Sequence, residues 1–121
     1  MIWLACQRLG RDLHEQRVGI IGRGNVGSRL HKLLDVLGVR VVANDPPLAD
    51  GGASGLVEQS EALACDIVSL HVPETAATRD MIGATELAQM KAGGILINAS
   101  RGTVVDIDAL AQALRDGHLG G

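Results

Sequence analysis

Hydrophobic and polar residues occur along the chain in blocks that predict strands and helices in turn. Val18, Ile20 and Ile21 form a short apolar run rich in β-branched residues, which is typical of a buried parallel strand. A predicted helix follows, and after it a second apolar strand that ends at Asp45. The apolar residues of that helix recur at three- and four-residue steps, which predicts that they share one face of the helix. They are Val26, Leu30, Leu33, Leu34 and Leu37.

The rest of the chain continues this alternation. Residues 66–73 and 95–98 are predicted strands, residues 58–64, 84–90 and 106–117 are predicted helices, and residues 48–55 and 99–103 are predicted loops. Strands that alternate with helices predict a Rossmann-like, doubly wound parallel sheet of the α/β class. We expect residues 17–121 to form this unit. Residues 1–16 are expected to be a connecting helix, interrupted by Gly10, or a frayed terminal helix.

Three glycines between the first strand and the first long helix are spaced G-x-G-x-x-G, which is the dinucleotide fingerprint. Gly22 permits a tight turn, Gly24 lets a pyrophosphate approach the backbone, and Gly27 allows close packing of the helix on the strand. Asp45, at the end of the second strand, can accept from a ribose hydroxyl and would repel a 2′-phosphate, which favours NAD over NADP. A glycine-rich turn without a ligand is disfavoured, because strand, loop, helix, strand and acid occur in the required order.

A second candidate site lies in the loop after the fourth predicted strand. In a doubly wound sheet, ligands bind beyond the carboxyl ends of the strands, where residues 22–27, 45–47, 71–73 and 98–102 are expected to meet. Arg101 is the only cation of the last loop. Its planar fork of donors suits a carboxylate or a carbonyl oxygen. An ordinary surface arginine explains the position equally well.

Composition narrows the function classes. The chain has 121 residues, 46% of them hydrophobic, and a net charge of −3, so no broad basic surface favours nucleic acid or an anionic membrane. Cys6 and Cys65 are isolated thiols, as expected of a cytoplasmic protein. No apolar run approaches the length that spans a membrane. No residues have metal-ligand spacing, and we expect His14, His31 and His118 to be solvated.

Two longer motifs, together with the glycine loop, resemble the D-isomer-specific 2-hydroxyacid dehydrogenases. They are Ser69-Leu-His-Val-Pro73 and Asn98-Ala-Ser-Arg-Gly-Thr-Val-Val-Asp106. Within the family, residues 66–120 are most similar to the D-3-phosphoglycerate dehydrogenases, whereas residues 44–50 are more similar to the erythronate-4-phosphate dehydrogenases. The resemblance implies hydride transfer between NAD and a small D-2-hydroxy acid such as 3-phosphoglycerate. It is also compatible with a homodimer.

The resemblance further implies individual roles. Arg101 matches the catalytic arginine that holds and polarises the 2-oxo acid. Asn25 and Val26 match loop residues at the pyrophosphate, and Asp45 matches the acid at the adenosine ribose. The positions that match cofactor contacts, including the fingerprint glycines, are Gly22, Gly24, Asn25, Val26, Gly27, Asp45, Val72, Pro73, Ala99, Ser100 and Arg101.

The sequence also departs from the family pattern. Arg23 occupies a loop position that is usually apolar or aromatic, where it either contacts phosphate or is solvated. The catalytic Glu, the Pro-His segment and the substrate domain of the family have no counterpart in these 121 residues, and His71 is not that histidine by motif. We therefore expect a partial Rossmann domain that binds NAD(H) without turnover.

Non-enzymatic functions remain as alternatives. One is an NAD-sensing regulatory module, similar to the nucleotide-binding domains of potassium-transport proteins, and another is a dehydrogenase-like corepressor. A ligand-gating module has no reason to contain the loop Asn98-Ala-Ser-Arg-Gly102, whereas a corepressor would.

Overall fold

Four parallel strands form the centre of the computed structural model, which describes residues 1–121. The strands are β1 (Arg17–Ile21), β2 (Arg40–Asn44), β3 (Ile67–Leu70) and β4 (Ile95–Asn98). They lie side by side in the order β2-β1-β3-β4 and every neighbouring pair is parallel. The predicted α/β, Rossmann-like parallel sheet is therefore confirmed.

Helices cover both faces of this sheet. They are α1 (Ile2–Arg8), α2 (Asn25–Val36), α3 (Pro46–Asp50), α4 (Gln59–Leu63), α5 (Ala84–Gln89) and α6 (Ile107–Arg115). Successive strand residues point to opposite faces, so Val18 and Ile20 belong to a buried cluster with α1 and α2, whereas Ile21 belongs to a cluster with α4 and α5. No helix has the length and hydrophobicity that a transmembrane span requires.

The segment after β2 differs from the prediction. Residues 48–55 were expected to form a loop, but a short helix, α3, begins at Pro46. Proline has no N–H, and the first turn of a helix does not need one, so the two prolines stop the strand and also begin a helix. Asp45 is the N-cap residue, and its side chain accepts from the Leu48 N–H.

The N-terminal segment is also shorter in helix than predicted. α1 ends at Arg8, and Gly10 has a positive φ of 66°, which turns the chain. A single 3₁₀ turn, Leu13–Glu15, then leads into β1. Ile2 and Cys6 of α1 are buried in the cluster that also contains β1 and α2.

The apolar side of α2 is only partly a core face. Leu34 is buried, but Val26 is 63% exposed and Leu33 is 58% exposed. With Trp3 of α1, these side chains line an apolar pocket of about 330 Å³. The predicted apolar residues therefore do share one face of α2, but only part of that face is buried against the core.

The last residues of the chain extend the sheet. The Gly120 N–H donates to the Gly94 carbonyl oxygen at 2.9 Å, and the Leu96 N–H donates to the Gly121 carbonyl oxygen at 3.0 Å. Leu119 also forms a parallel bridge with Gly94. This segment therefore pairs with the edge of β4 as a fifth strand would.

Candidate functional site

The turn between β1 and α2 has a shape that only glycine permits at two positions. Gly22 has a φ of +93°, and a Cβ added to it would lie 2.5 Å from the His71 carbonyl oxygen. A Cβ on Gly27 would overlap the Gly22 carbonyl oxygen. α2 can therefore start directly against the end of β1 only because both side chains are absent.

The middle of this turn is open and offers free hydrogen-bond donors. A Cβ added to Gly24 would meet nothing within 4 Å, so the backbone there can be approached from outside. The N–H groups of Asn25, Val26 and Gly27 donate to no acceptor in the protein. Unpaired donors at the start of a 12-residue helix, together with the helix dipole, form a suitable site for an anion.

Asp45 connects this turn to the end of β2. Its Oδ2 accepts from the Arg23 N–H at 2.7 Å, and its Oδ1 accepts from the Leu48 N–H at 3.2 Å. A carboxylate has about four lone-pair positions, so it can still accept from a ligand hydroxyl. The sequence predicted an acid at this edge but not its bond to the glycine loop.

A pocket of about 470 Å³ lies between the glycine loop, α3 and the loop after β3. Thr78 stabilises that loop, because its Oγ1 donates to the Pro73 carbonyl oxygen at 2.6 Å. Thr78 also lines the pocket but was not among the predicted site residues. Its position in the predicted loop after the third strand, near the carboxyl edge of the sheet, was the signal that could have identified it. The predicted site residues that line the pocket are Gly22, Gly24, Asp45, Val72 and Pro73.

The loops after β3 and β4 are joined by side-chain hydrogen bonds. The Val72 N–H donates to Ser100 Oγ at 2.8 Å, and the Ser100 N–H donates to Asn98 Oδ1 at 2.9 Å. Asn98 Nδ2 also donates to the Arg101 carbonyl oxygen at 3.2 Å. Asn98, which was not among the predicted site residues, therefore fixes the backbone on which Arg101 stands.

Arg101 lines a second pocket, of about 330 Å³, together with Val72, Pro73 and Ser100. Its side chain is 79% exposed, and its Nε lies 4.0 Å from Glu74 Oε2. This distance is long for an ion pair between exposed groups, so Glu74 restrains the guanidinium only weakly. The fork of donors is therefore free to meet an incoming carboxylate.

Not all predicted site residues gather in these two pockets. Asn25 and Gly27 line neither of them, and Val26 instead lines the apolar pocket beside α1. Ala99 lines both that apolar pocket and the pocket of Arg101. No group of three or more potential metal ligands is present.

His71 follows β3 and lines both the pocket beside the glycine loop and the apolar pocket beside α1. Its Nε2 lies 2.8 Å from the Oγ of buried Ser69. Burial lowers the pKa of the His71 imidazole below its ordinary value, which favours the neutral ring. A neutral ring already bonded to Ser69 is a poor source of a proton for a substrate.

Comparison with known proteins places this geometry in a family. Residues 2–121 match the NAD binding domain of the D-isomer specific 2-hydroxyacid dehydrogenases. The chain is 45% identical to D-3-phosphoglycerate dehydrogenase of Haemophilus influenzae, with 99% of this chain and 30% of that protein aligned. It is 42% identical to erythronate-4-phosphate dehydrogenase of Hahella chejuensis, with 92% of this chain and 30% of that protein aligned.

Solved structures give the same result. D-lactate dehydrogenase from Aquifex aeolicus, solved in complex with NAD and lactic acid, superposes with a TM-score of 0.81 and 37% identity. The match covers 92% of this chain and 34% of that one. The chain thus spans about a third of the length of the proteins it matches.

Proposed function

Because the chain belongs to the D-isomer-specific 2-hydroxyacid dehydrogenases and matches their NAD-binding domain, we propose that it serves hydride transfer between NAD and a small D-2-hydroxy acid. We further propose a phosphorylated substrate, since two relatives at 45% and 42% identity are named for phosphoglycerate and erythronate phosphate. In this proposal residues 17–121 are the NAD-binding unit and residues 1–16 connect it to a substrate domain.

The observation on which the proposal chiefly depends is the open glycine turn beside an acid. The three N–H groups that lack acceptors, on Asn25, Val26 and Gly27, would receive the pyrophosphate. Asp45 would accept from the adenosine ribose, since it already lies one hydrogen bond from the loop. NAD, when bound, supplies the hydride acceptor, and these residues supply its position.

Arg101 would act on the substrate. Its guanidinium can bind the carboxylate in a bidentate manner and polarise the adjacent carbonyl. Asn98 and Ser100 would position it, because they hold the loop against the segment after β3. We assign the proton transfer to a group other than His71, whose pKa is lowered by burial and whose ring bonds Ser69.

Titration of the chain with NADH and NADPH by calorimetry tests the cofactor assignment. We expect NADH to bind about tenfold more tightly, because the Asp45 carboxylate accepts from the ribose and repels a 2′-phosphate. Asp45→Asn should narrow this gap, since the amide removes the charge but retains an acceptor for the Arg23 N–H. Equal affinities of the unmutated chain for both cofactors would contradict the role of Asp45.

We also propose a homodimer formed through the exposed apolar side of α1 and α2. Trp3 is 63% exposed and Leu33 is 58% exposed, and both line the apolar pocket between the two helices. Leu33→Asp should dissociate the dimer in sedimentation experiments without unfolding the monomer. Lys32→Ala, on the same helix, is the matched control and should leave the mass unchanged. A monomeric unmutated chain would refute the proposal.

A further inference from the structure

The glycine loop contains a positive charge that the proposed NAD site does not use. The Arg23 N–H donates to Asp45 Oδ2 at 2.7 Å, so the backbone of Arg23 lies directly beside the acid. The side chain extends over the turn after α3, where Nη1 lies 3.4 Å from the Ser54 carbonyl oxygen. No carboxylate lies within ion-pair distance of this guanidinium.

This arrangement leaves the Arg23 guanidinium without an anionic partner, on a residue whose backbone N–H contacts Asp45. A hydrogen bond of 3.4 Å to a neutral carbonyl is weak, so the guanidinium can leave Ser54 at little cost. Guanidinium groups bind phosphate in a bidentate manner, with bonds stronger than those between neutral groups. A phosphate bound beside the Asp45 carboxylate could therefore accept hydrogen bonds from the Arg23 guanidinium.

We propose that Arg23 is a specificity-determining residue that binds the 2′-phosphate of NADP(H), so that the chain accepts both dinucleotides despite Asp45. The inference rests on the proposed cofactor orientation, in which Asp45 accepts from the adenosine ribose. In that orientation the 2′-oxygen would lie beside Asp45, whose carboxylate accepts from the Arg23 N–H, so a 2′-phosphate would come within reach of the Arg23 side chain. Arg23 combines a backbone bond to Asp45 with a side chain that contacts the Ser54 carbonyl oxygen only weakly, so its guanidinium is available to the phosphate.

Charge balance explains why both cofactors are accepted. The phosphate is repelled by the Asp45 carboxylate and attracted by the Arg23 guanidinium, so the two Coulomb interactions have opposite signs. NADPH therefore binds more weakly than NADH but much better than the acid alone would allow. Removing Asp45 leaves only the attractive term, and removing Arg23 leaves only the repulsive one.

Calorimetric titration of single and double variants with NADH and NADPH tests this. Arg23→Gln should weaken NADPH binding about tenfold, the lower end for a hydrogen bond to a charged group, and NADH binding less than about twofold. Asp45→Asn should strengthen NADPH binding, and Asp45→Asn/Arg23→Gln should lose that gain. Salt should weaken NADPH binding more in the unmutated chain than in Arg23→Gln.

Arg40→Gln is the matched control, because Arg40 is exposed at the start of β2, at the opposite edge of the sheet. It removes the same charge and should change neither affinity. Equal weakening of both cofactors by Arg23→Gln would overturn the proposal and place Arg23 at the pyrophosphate. Unchanged affinities would overturn it in favour of a solvated arginine. If the unmutated chain binds neither dinucleotide, the proposed function fails with it.

Discussion

Replacing Gly24 with valine is expected to abolish NADH binding while the fold persists. The backbone at Gly24 has a φ of −73°, which any residue adopts, and a Cβ there meets nothing within 4 Å. A branched side chain would instead fill the space through which a pyrophosphate approaches the free N–H groups of Asn25 and Val26. We expect at least roughly a hundredfold loss of affinity, the size of several charge-assisted hydrogen bonds.

Stability should change little in this variant. Valine is a poor residue at a helix N-cap, the position of Gly24, so we expect a loss of about 1 kcal/mol. Circular dichroism should show an unchanged spectrum and a slightly lower melting temperature. A Gly24→Val chain that binds NADH as well as the unmutated chain would mean that this turn does not face the phosphates.

Gly27→Val is the variant to compare with Gly24→Val, because it makes the same substitution three residues later in the same glycine motif. Here the new Cβ would overlap the Gly22 carbonyl oxygen, which is backbone and cannot move without displacing β1 or α2. We expect the melting transition to fall sharply or disappear, because overpacking against a fixed backbone has no cheap relaxation. The pair therefore separates the glycine that faces a ligand from the glycine that allows the fold.

The sheet and the glycine turn were predictable because their signals are local. Apolar residues such as Val18 and Ile20 lie in a short apolar run that by itself predicts a buried strand. The G-x-G-x-x-G spacing likewise predicts the backbone geometry of the turn that contains it. The helix α3 was missed because two prolines are equally compatible with the end of a strand and with the first turn of a helix, and Pro46 and Pro47 occupy both places. Only the N-cap bond from Leu48 to Asp45 distinguishes them.

The contacts that could not be predicted join residues far apart in the chain. Ser100 binds the backbone of Val72, 28 positions earlier, and Asp45 binds the backbone of Arg23, 22 positions earlier. No periodicity encodes such pairs, because they arise only when parallel strands bring their carboxyl ends to one edge. The surface exposure of the apolar side of α2 was unpredictable for a related reason. Periodicity shows which residues share a helix face, but not how much of that face packs against the core.

Arg101→Lys is expected to remove most turnover in an enzyme built around this chain. The chain alone should not oxidise NADH with 3-phosphohydroxypyruvate, because Arg101 is 79% exposed, so water screens its charge. General acid–base transfer contributes ~10²–10⁴-fold, and His71 is poorly suited to provide it. Clear turnover by the 121-residue chain would contradict this expectation and would mean that a histidine within the chain serves as the acid, with His71 the first candidate to replace.

A chimera supplies what we propose the chain requires. The chain would replace the matching segment of D-3-phosphoglycerate dehydrogenase from Haemophilus influenzae, to which it is 45% identical across nearly its whole length. Loss of NADH absorbance in the presence of 3-phosphohydroxypyruvate measures turnover, and NADH titration verifies that the chimera has folded. A chimera that binds NADH without turnover would favour the NAD-sensing alternatives over an enzyme.

In an active chimera, Arg101→Lys retains the positive charge but loses the planar fork. An ammonium group is a compact, strongly hydrated point charge that cannot hold a carboxylate and a carbonyl in one bidentate geometry. We expect a loss of roughly a hundredfold in kcat/KM, with part of it in kcat, since misorientation of the reacting carbonyl lowers the rate even at saturation. Arg79→Lys, an exposed arginine in the loop after β3, makes the same chemical change and should have no effect. Equal activity of both variants would show that charge alone suffices at Arg101, and that Asn98 and Ser100 position nothing that catalysis requires.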